Sequence, residues 1–197
     1  SNGKRLEGCR GDVISVAFDA LGERVCAAST GGSLAVWASA GQQLAISSVD
    51  TPPSGIRFDP TDRRLIVSTV LGDLLLWSPG LPETLGRHFS SVRRVCYAPD
   101  GSALLSAGAD ECVRLWESDD QVSARFIHAN QIRALAWSAD GSLFASGGAD
   151  MQVLVNGLSG EVAARSFEAM VTAVAFTDAK ALIVGLETGA VYRWDWE

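Results

Sequence analysis

Two sets of residues in this chain contain a nucleophile, a base and an orienting acid: His88, Ser106 and Asp110, and His128, Ser146 and Asp150. A serine activated by an imidazole that a carboxylate holds in place is the chemistry of acyl transfer. In both sets, however, Ser follows His by 18 residues and Asp follows it by 22, and the sets stand 40 residues apart. An active site is usually built once, so a set that recurs with one internal spacing reads as architecture. A G-x-S-x-G turn and a phosphate-cradling G-x-x-x-x-G-K-[ST] loop are both absent from the sequence. The four cysteines, Cys9, Cys26, Cys96 and Cys112, show no C-x-x-C spacing, and there are only two histidines. No metal set or cofactor is expected from them; they read as small hydrophobes in a reducing compartment.

The elements that must position these residues follow from a repeat. An aromatic residue closes an alternating apolar run at Phe18, Phe58, Tyr97, Trp137 and Phe176, at intervals of 40, 39, 40 and 39. A second aromatic follows at Trp37, Trp77, Trp116 and Trp194, with Asn156 where the fourth copy should have its tryptophan. Within each copy the apolar period is two, and turns such as Ala98-Pro-Asp-Gly101 and Ser138-Ala-Asp-Gly141 separate the runs. Asp59, Asp62, Asp100 and Asp140 stand where side chains cap tight turns. Each copy predicts four short strands in one antiparallel sheet whose two faces are both partly apolar. Such a sheet buries neither face alone, so copies must stack.

Composition narrows the function classes. The 197 residues are 47% hydrophobic and 20% charged, which excludes disorder and a disulfide-dense miniprotein. A formal net charge of −7 offers no basic footprint for nucleic acid or an anionic membrane. Residues 25–49 are uncharged but too rich in Gly, Ser and Gln to span a bilayer. These features read as a soluble, cytoplasmic chain, with a nuclear location left open.

The units resemble WD repeats, the blades of a β-propeller, over residues 3–38, 42–78, 82–117, 121–157 and 160–196; the third copy, HFSSVRRVCYAPDGSALLSAGADECVRLWE, is the nearest match. The resemblance implies an all-β propeller of four-stranded blades in a single domain, residues 1–197. It also implies that His88, Ser106, Asp110 and Trp116 form a hydrogen-bonded structural tetrad, with His128, Ser146 and Asp150 its counterpart in copy four. Five units close as a small ring, with residues 3–9 completing copy five, or belong to a larger propeller, or need a second chain to complete the ring. By the same pattern, Asn156 marks a weak blade. Trp196, outside the repeat, is either exposed or buried by something beyond the chain, and Arg63-Arg64 beside Asp62 is a solvated cluster.

In WD-repeat proteins partners bind one rim, and the resemblance transfers those positions residue by residue. They are Asp12, Ile14 and Thr30; Pro52, Ser54 and Val70; Ser91, Arg93 and Ala109; Gln131, Arg133 and Ala149; and Met170, Thr172 and Glu187. Arg93 and Arg133 share one position on adjacent copies of an acidic chain, and two guanidinium groups there suit a carboxylate or phosphate. Alternatively, they pair with carboxylates of their own chain. The expected function is a non-enzymatic scaffold for a protein or peptide partner, an acidic one by this pattern, with self-association to complete the ring as a further option. The competing readings are a regulatory segment of a larger protein and a propeller enzyme or small-molecule binder using the central channel.

Overall fold

Period-two alternation broken by Gly, Asp and Ser turns builds short antiparallel strands and nothing else here. The computed structural model describes residues 5–61, 64–78, 82–117 and 122–196, and every regular element among them is a strand. The first sheet runs β1 (Val13–Phe18), β2 (Arg24–Ser29), β3 (Ser33–Ala38), β4 (Gln43–Ser48) in that order. The second is β5 (Pro53–Phe58), β6 (Leu65–Thr69), β7 (Asp73–Trp77), β8 (Glu83–Arg87). The third is β9 (Val92–Tyr97), β10 (Ala103–Gly108), β11 (Cys112–Glu117), β12 (Val122–Ile127). The fourth is β13 (Ile132–Trp137), β14 (Leu143–Gly148), β15 (Gln152–Gly157), β16 (Gly160–Ser166). The fifth has three strands: β17 (Val171–Asp178), β18 (Ala181–Leu186), β19 (Val191–Asp195). Each sheet is an antiparallel meander, as the repeat predicts.

The chain divides into two compact units, residues 1–92 and 93–197. Inside each, neighbouring sheets bury one another. In the first unit, Cys26, Ala28, Leu34 and Val36 of the first sheet meet Ile56, Leu65, Val67 and Trp77 of the second. In the second unit, Ala103, Leu105, Ala107, Val113 and Leu115 meet Ile132 and Phe144. Ala145, Val153 and Val155 meet Val171, Leu182, Val184 and Trp194 in the same way. Within each unit the earlier sheet thus turns one face, its leading face, toward the later one, which meets it with the trailing face that carries the tryptophan or, in the fourth sheet, Asn156. Cross-strand partners fix the equivalence: Val25↔Trp37, Leu65↔Trp77, Leu104↔Trp116, Phe144↔Asn156 and Leu182↔Trp194. All four tryptophans at this position are buried, which makes them core and not ligand platforms.

Copy four departs from the pattern in a compensated way. Where the other sheets pair Trp with Val or Leu, the fourth pairs Asn156 with Phe144, so the bulk has crossed to the neighbouring strand. Phe144 is almost fully buried and makes edge contacts with Phe126 at 4.9 Å and Trp137 at 5.4 Å. The position thus has its aromatic volume; what it lacks is a partner for Asn156 Nδ2, which is buried without one.

The N-terminal segment lies on the first sheet's trailing face. Ser29 Oγ donates to the Arg10 carbonyl at 2.7 Å, Arg10 N donates to Ser33 Oγ at 3.1 Å, and Trp37 Nε1 donates to the Glu7 carbonyl at 3.2 Å. Cys9 packs against Val25, Ala27, Ala35 and Trp37. Among the described residues this segment joins no sheet, and the fifth sheet has three strands. Trp196, expected to be exposed or covered from outside the chain, is half-buried against Trp194 at 5.4 Å and Phe176 at 6.1 Å. Its backbone N–H reaches the Lys180 carbonyl, which ties it to the turn between β17 and β18.

The size exchange at Phe144 and Asn156 makes a definite prediction. Asn156→Trp alone overpacks a filled site and lowers stability by about 1–3 kcal/mol. Phe144→Leu alone leaves a void, and the pair together restores the Leu–Trp arrangement of the other sheets. Thermal or denaturant unfolding of the three variants should give a coupling energy of about 1 kcal/mol or more; additive losses would contradict the exchange.

Candidate functional site

The set with catalytic composition was built first in the sequence, and its geometry is complete in copy four. His128 Nδ1 lies 2.8 Å from Asp150 Oδ2, and His128 Nε2 lies 2.8 Å from Ser146 Oγ. A carboxylate has no proton to give, so Nδ1–H donates, and in the neutral ring Nε2 accepts from the serine. Asp150 also accepts from the backbone N–H groups of Ala129 at 3.1 Å and Gln152 at 3.2 Å. Yet Ser146 has no exposed surface and His128 almost none. A nucleophile sealed from solvent meets no substrate; this network pins β14, the β14–β15 turn and the segment before β13 to one another. In the third sheet Trp116 Nε1 donates to Ser106 Oγ at 2.8 Å, Asp110 pairs with Arg114 at 3.1 Å, and His88 is buried. At the serine position the second sheet has Val67, and the Trp77 indole N–H is left buried with no acceptor.

The rim positions share a geometry that repeats copy after copy. Thr30 N donates to the Asp12 carbonyl, Val70 N to Pro52, Ala149 N to Gln131 and Glu187 N to Met170, at 2.9–3.0 Å. In these four copies the first and third residue of the nominated triple are therefore neighbours at one end of their sheet. The middle residue has a property that alternation does not announce. Pairing skips a residue between Val13 and Ser15, Pro53 and Gly55, Ile132 and Ala134, and Val171 and Ala173. Ile14, Ser54, Arg133 and Thr172 are thus bulged out of the inner strand. A bulge frees one side chain from the ladder and re-aims it, which is why bulges gather at binding sites. Arg93 follows Val92 at the same point of β9. The doubled Arg93-Arg94 in VRRVCY sets two polar residues in succession where strict alternation allows one.

These bulge positions differ in chemistry from sheet to sheet. Ile14 is exposed, Ser54 Oγ donates to Ser68 Oγ at 3.0 Å, and Thr172 Oγ1 donates to the Gly185 carbonyl at 3.1 Å. Asp12, Thr30, Val70 and Glu187 are exposed, whereas Ser91, Gln131, Met170, Ala109 and Ala149 are half-buried. Arg93 is exposed and Arg133 half-buried. Among the described residues neither guanidinium takes part in an ion pair or hydrogen bond, so the alternative that they are neutralised within the chain is not realised. Arg133 Nε and Gln131 Oε1 are both buried and unpartnered. Leaving a buried polar atom unpaired costs about 1–3 kcal/mol. The cost concentrates on the fourth sheet's rim. Asp62 and Arg63 lie outside the described residues.

A family model described as WD domain, G-beta repeat matches residues 81–117 and 121–155. The third and fourth sheets are thus similar to WD repeats. WD repeat-containing protein 3 of Mus musculus is 26% identical over 119 residues, 57% of this chain and 12% of that protein. Pre-mRNA-processing factor 17 of Saccharomyces cerevisiae is 40% identical over 48 residues, 24% of this chain and 10% of that protein. The chain thus spans about a tenth of the length of these relatives. The matched segments cover the two WD repeats with a His, Ser and Asp set, and the remaining three sheets share their strand order and cross-strand pattern.

Removal of the buried acid tests the structural role of the WD-repeat network. Asp150→Ala strands the His128 N–H and two backbone donors, and should cost about 3 kcal/mol in a denaturant titration; an unchanged midpoint would show that the network carries no stability. The turn aspartates follow the expected capping pattern, Asp140 accepting from Ser138 and Ser142 at 2.6–3.1 Å. Those bonds hold its carboxyl down to about 2, the Ser138 hydroxyl contributing most. A depressed acid stabilises the fold above its unfolded value near 3.8 and loses that contribution as pH falls toward 2. Carboxyl NMR should place the Asp140 midpoint near 2 and move it upward in Ser138→Ala.

Proposed function

We propose that this WD-repeat chain is a non-enzymatic platform that binds a protein or peptide at the bulged ends of its inner strands. An acidic group of that partner is taken by Arg93 and Arg133. The observation that carries the reading is the pair itself: two arginines at one repeat position on neighbouring sheets, both without an internal carboxylate, on a chain of net charge −7. Unneutralised guanidinium groups in a fixed frame suit bidentate recognition of carboxylate or phosphate. Ile14 and Val70 expose apolar surface at the same repeat positions in the first two copies. WD repeats serve generally as protein-interaction scaffolds, which supports the same assignment. The acidic balance argues against nucleic acid, and an intracellular location, cytoplasmic or nuclear, accords with this reading.

A second reading has one observation in its favour. The relatives are roughly ten times longer than the segments they share with this chain, so it acts as a regulatory module within a larger protein if its own partners lie elsewhere on such a polypeptide.

The test is a panel of acidic, phosphorylated and neutral peptides titrated calorimetrically against the intact chain and against Arg93→Glu/Arg133→Glu. Acidic or phosphorylated members should bind the wild type, more weakly as salt rises, and lose at least about tenfold on charge reversal, about 1.4 kcal/mol. Equal binding by both chains, or a preference for neutral peptides, would refute the rim assignment.

A further inference from the structure

Inside each unit, where one sheet packs on the next, the aromatic residue that closes the later inner strand comes close to the end of the earlier one. What stands beside it differs from junction to junction. Between the first and second sheets it is Arg24, whose Cζ lies 5.0 Å from the Phe58 ring centroid and whose Nε donates to Asp19 Oδ2 at 2.8 Å. Asp19 is buried. A guanidinium over an aromatic face and tied to a carboxylate combines a cation–π contact with a charge-assisted hydrogen bond. Between the third and fourth sheets the later aromatic itself reaches across, Trp137 Nε1 donating to the Cys96 carbonyl at 3.2 Å. There Pro99 lies against Gly141, where an added side-chain carbon would meet its Cδ at 3.6 Å.

Between the fourth and fifth sheets, both within the second unit, a cavity of about 190 Å³ lies at this place. Ser138, Ala139 and Asp140 line it from the β13–β14 turn, and Phe176, Thr177 and Asp178 from the end of β17. One water needs only roughly 10–15 Å³ of such space. Ala139 stands where the second and third copies have Pro60 and Pro99. Leu143, opposite Gly157, stands where the first sheet has Arg24 opposite Ala38. The fourth junction thus keeps an aromatic ring and an acid but has an aliphatic residue in place of the guanidinium that joins them in the first.

The acids are only partly satisfied. Asp140 accepts from the hydroxyls of Ser138 at 2.6 Å and Ser142 at 2.8 Å, and among the described residues it takes part in no ion pair. Asp178 accepts from Lys180 N at 2.9 Å and lies 3.7 Å from Arg193 Nη2, whose shorter bonds of 3.0 and 2.9 Å go to Asp195. Two carboxylates and a phenyl ring around a space with alanine walls suit a group that is cationic at its tip and apolar along its stem. A planar guanidinium meets both demands, because it stacks on the ring while its fork of donors reaches carboxylates at its edge.

We propose that the cavity between the fourth and fifth sheets binds an arginine side chain of a partner peptide, its guanidinium over Phe176 and paired with Asp140 and Asp178. The arrangement is the one that Arg24 makes with Phe58 and Asp19. Arg133 lies at the start of β13 and Ser138 just past its end, so this site and the rim occupy opposite ends of one strand and select opposite charges. The inference therefore stands apart from the rim reading.

The experiment titrates the full, isotopically labelled chain with acetyl-Gly-Arg-Gly-amide and with its lysine and citrulline counterparts, following backbone amide signals by NMR. The arginine peptide is expected to shift the signals of residues 138–140 and 176–179 saturably. Citrulline, of the same shape without the charge, should leave them in place, and lysine should bind at least about tenfold more weakly. Asp140→Asn should weaken arginine binding at least about tenfold. Ala139→Pro, the residue of the second and third copies, narrows the cavity and should remove the shifts while the melting temperature holds. Should Asp140→Asn lower the melting temperature through its lost turn cap, Ala139→Pro decides alone. No saturable shift with the arginine peptide would overturn the proposal. So would binding that survives Ala139→Pro, or a lysine peptide that binds as tightly as the arginine one.

Discussion

A four-stranded sheet that is apolar on both sides cannot exist alone in water, and everything else in this molecule follows from that. Burial of one Val or Leu side chain contributes roughly 1.5–3 kcal/mol. The net stability of an entire domain is about 5–15 kcal/mol. The four side chains on the first sheet's leading face, Cys26, Ala28, Leu34 and Val36, thus weigh as much as the margin by which a fold survives. Stacking comes before any particular hydrogen bond, and the strands are short because each needs only to span one such face.

The polar networks are secondary to this packing. The fourth sheet has the full His128–Ser146–Asp150 set, while the first, second and fifth sheets have Ala27, Val67 and Val184 at the serine position. All of them form the same antiparallel meander. Where the serine is missing, the tryptophan N–H finds another acceptor or none. Trp37 turns to the Glu7 carbonyl, and Trp77 has no partner. Hydrogen bonds of this kind select one register and hold the connecting segments; they do not create the sheets.

Much of this was legible in the sequence because the governing signals are periodic. Aromatic residues at intervals of 39 and 40 and apolar residues at every second position report sheets directly, and Asp-Gly pairs report the turns between them. Signals that live in one residue were harder. Asn156 reads as a defect until its cross-strand neighbour is known to be Phe144, because the aromatic repeat marks the tryptophan position and not the residue that faces it. Trp196 falls outside the repeat because it packs on Phe176 and Trp194, an arrangement peculiar to the fifth sheet. In four copies the transferred rim residues fall at one end of their sheet, and only the strand register reveals that the middle member is displaced from the ladder.

That displacement has an evolutionary corollary. A residue displaced from the backbone ladder can be exchanged with little change to strand pairing, so its identity is free to vary. Ile14, Ser54, Arg133 and Thr172 stand there, and Arg93 holds the same repeat position, spanning aliphatic, hydroxylic and cationic chemistry. Variation in such a molecule is modular in the literal sense: each letter is rewritable by one codon while the frame that displays it stays as it was.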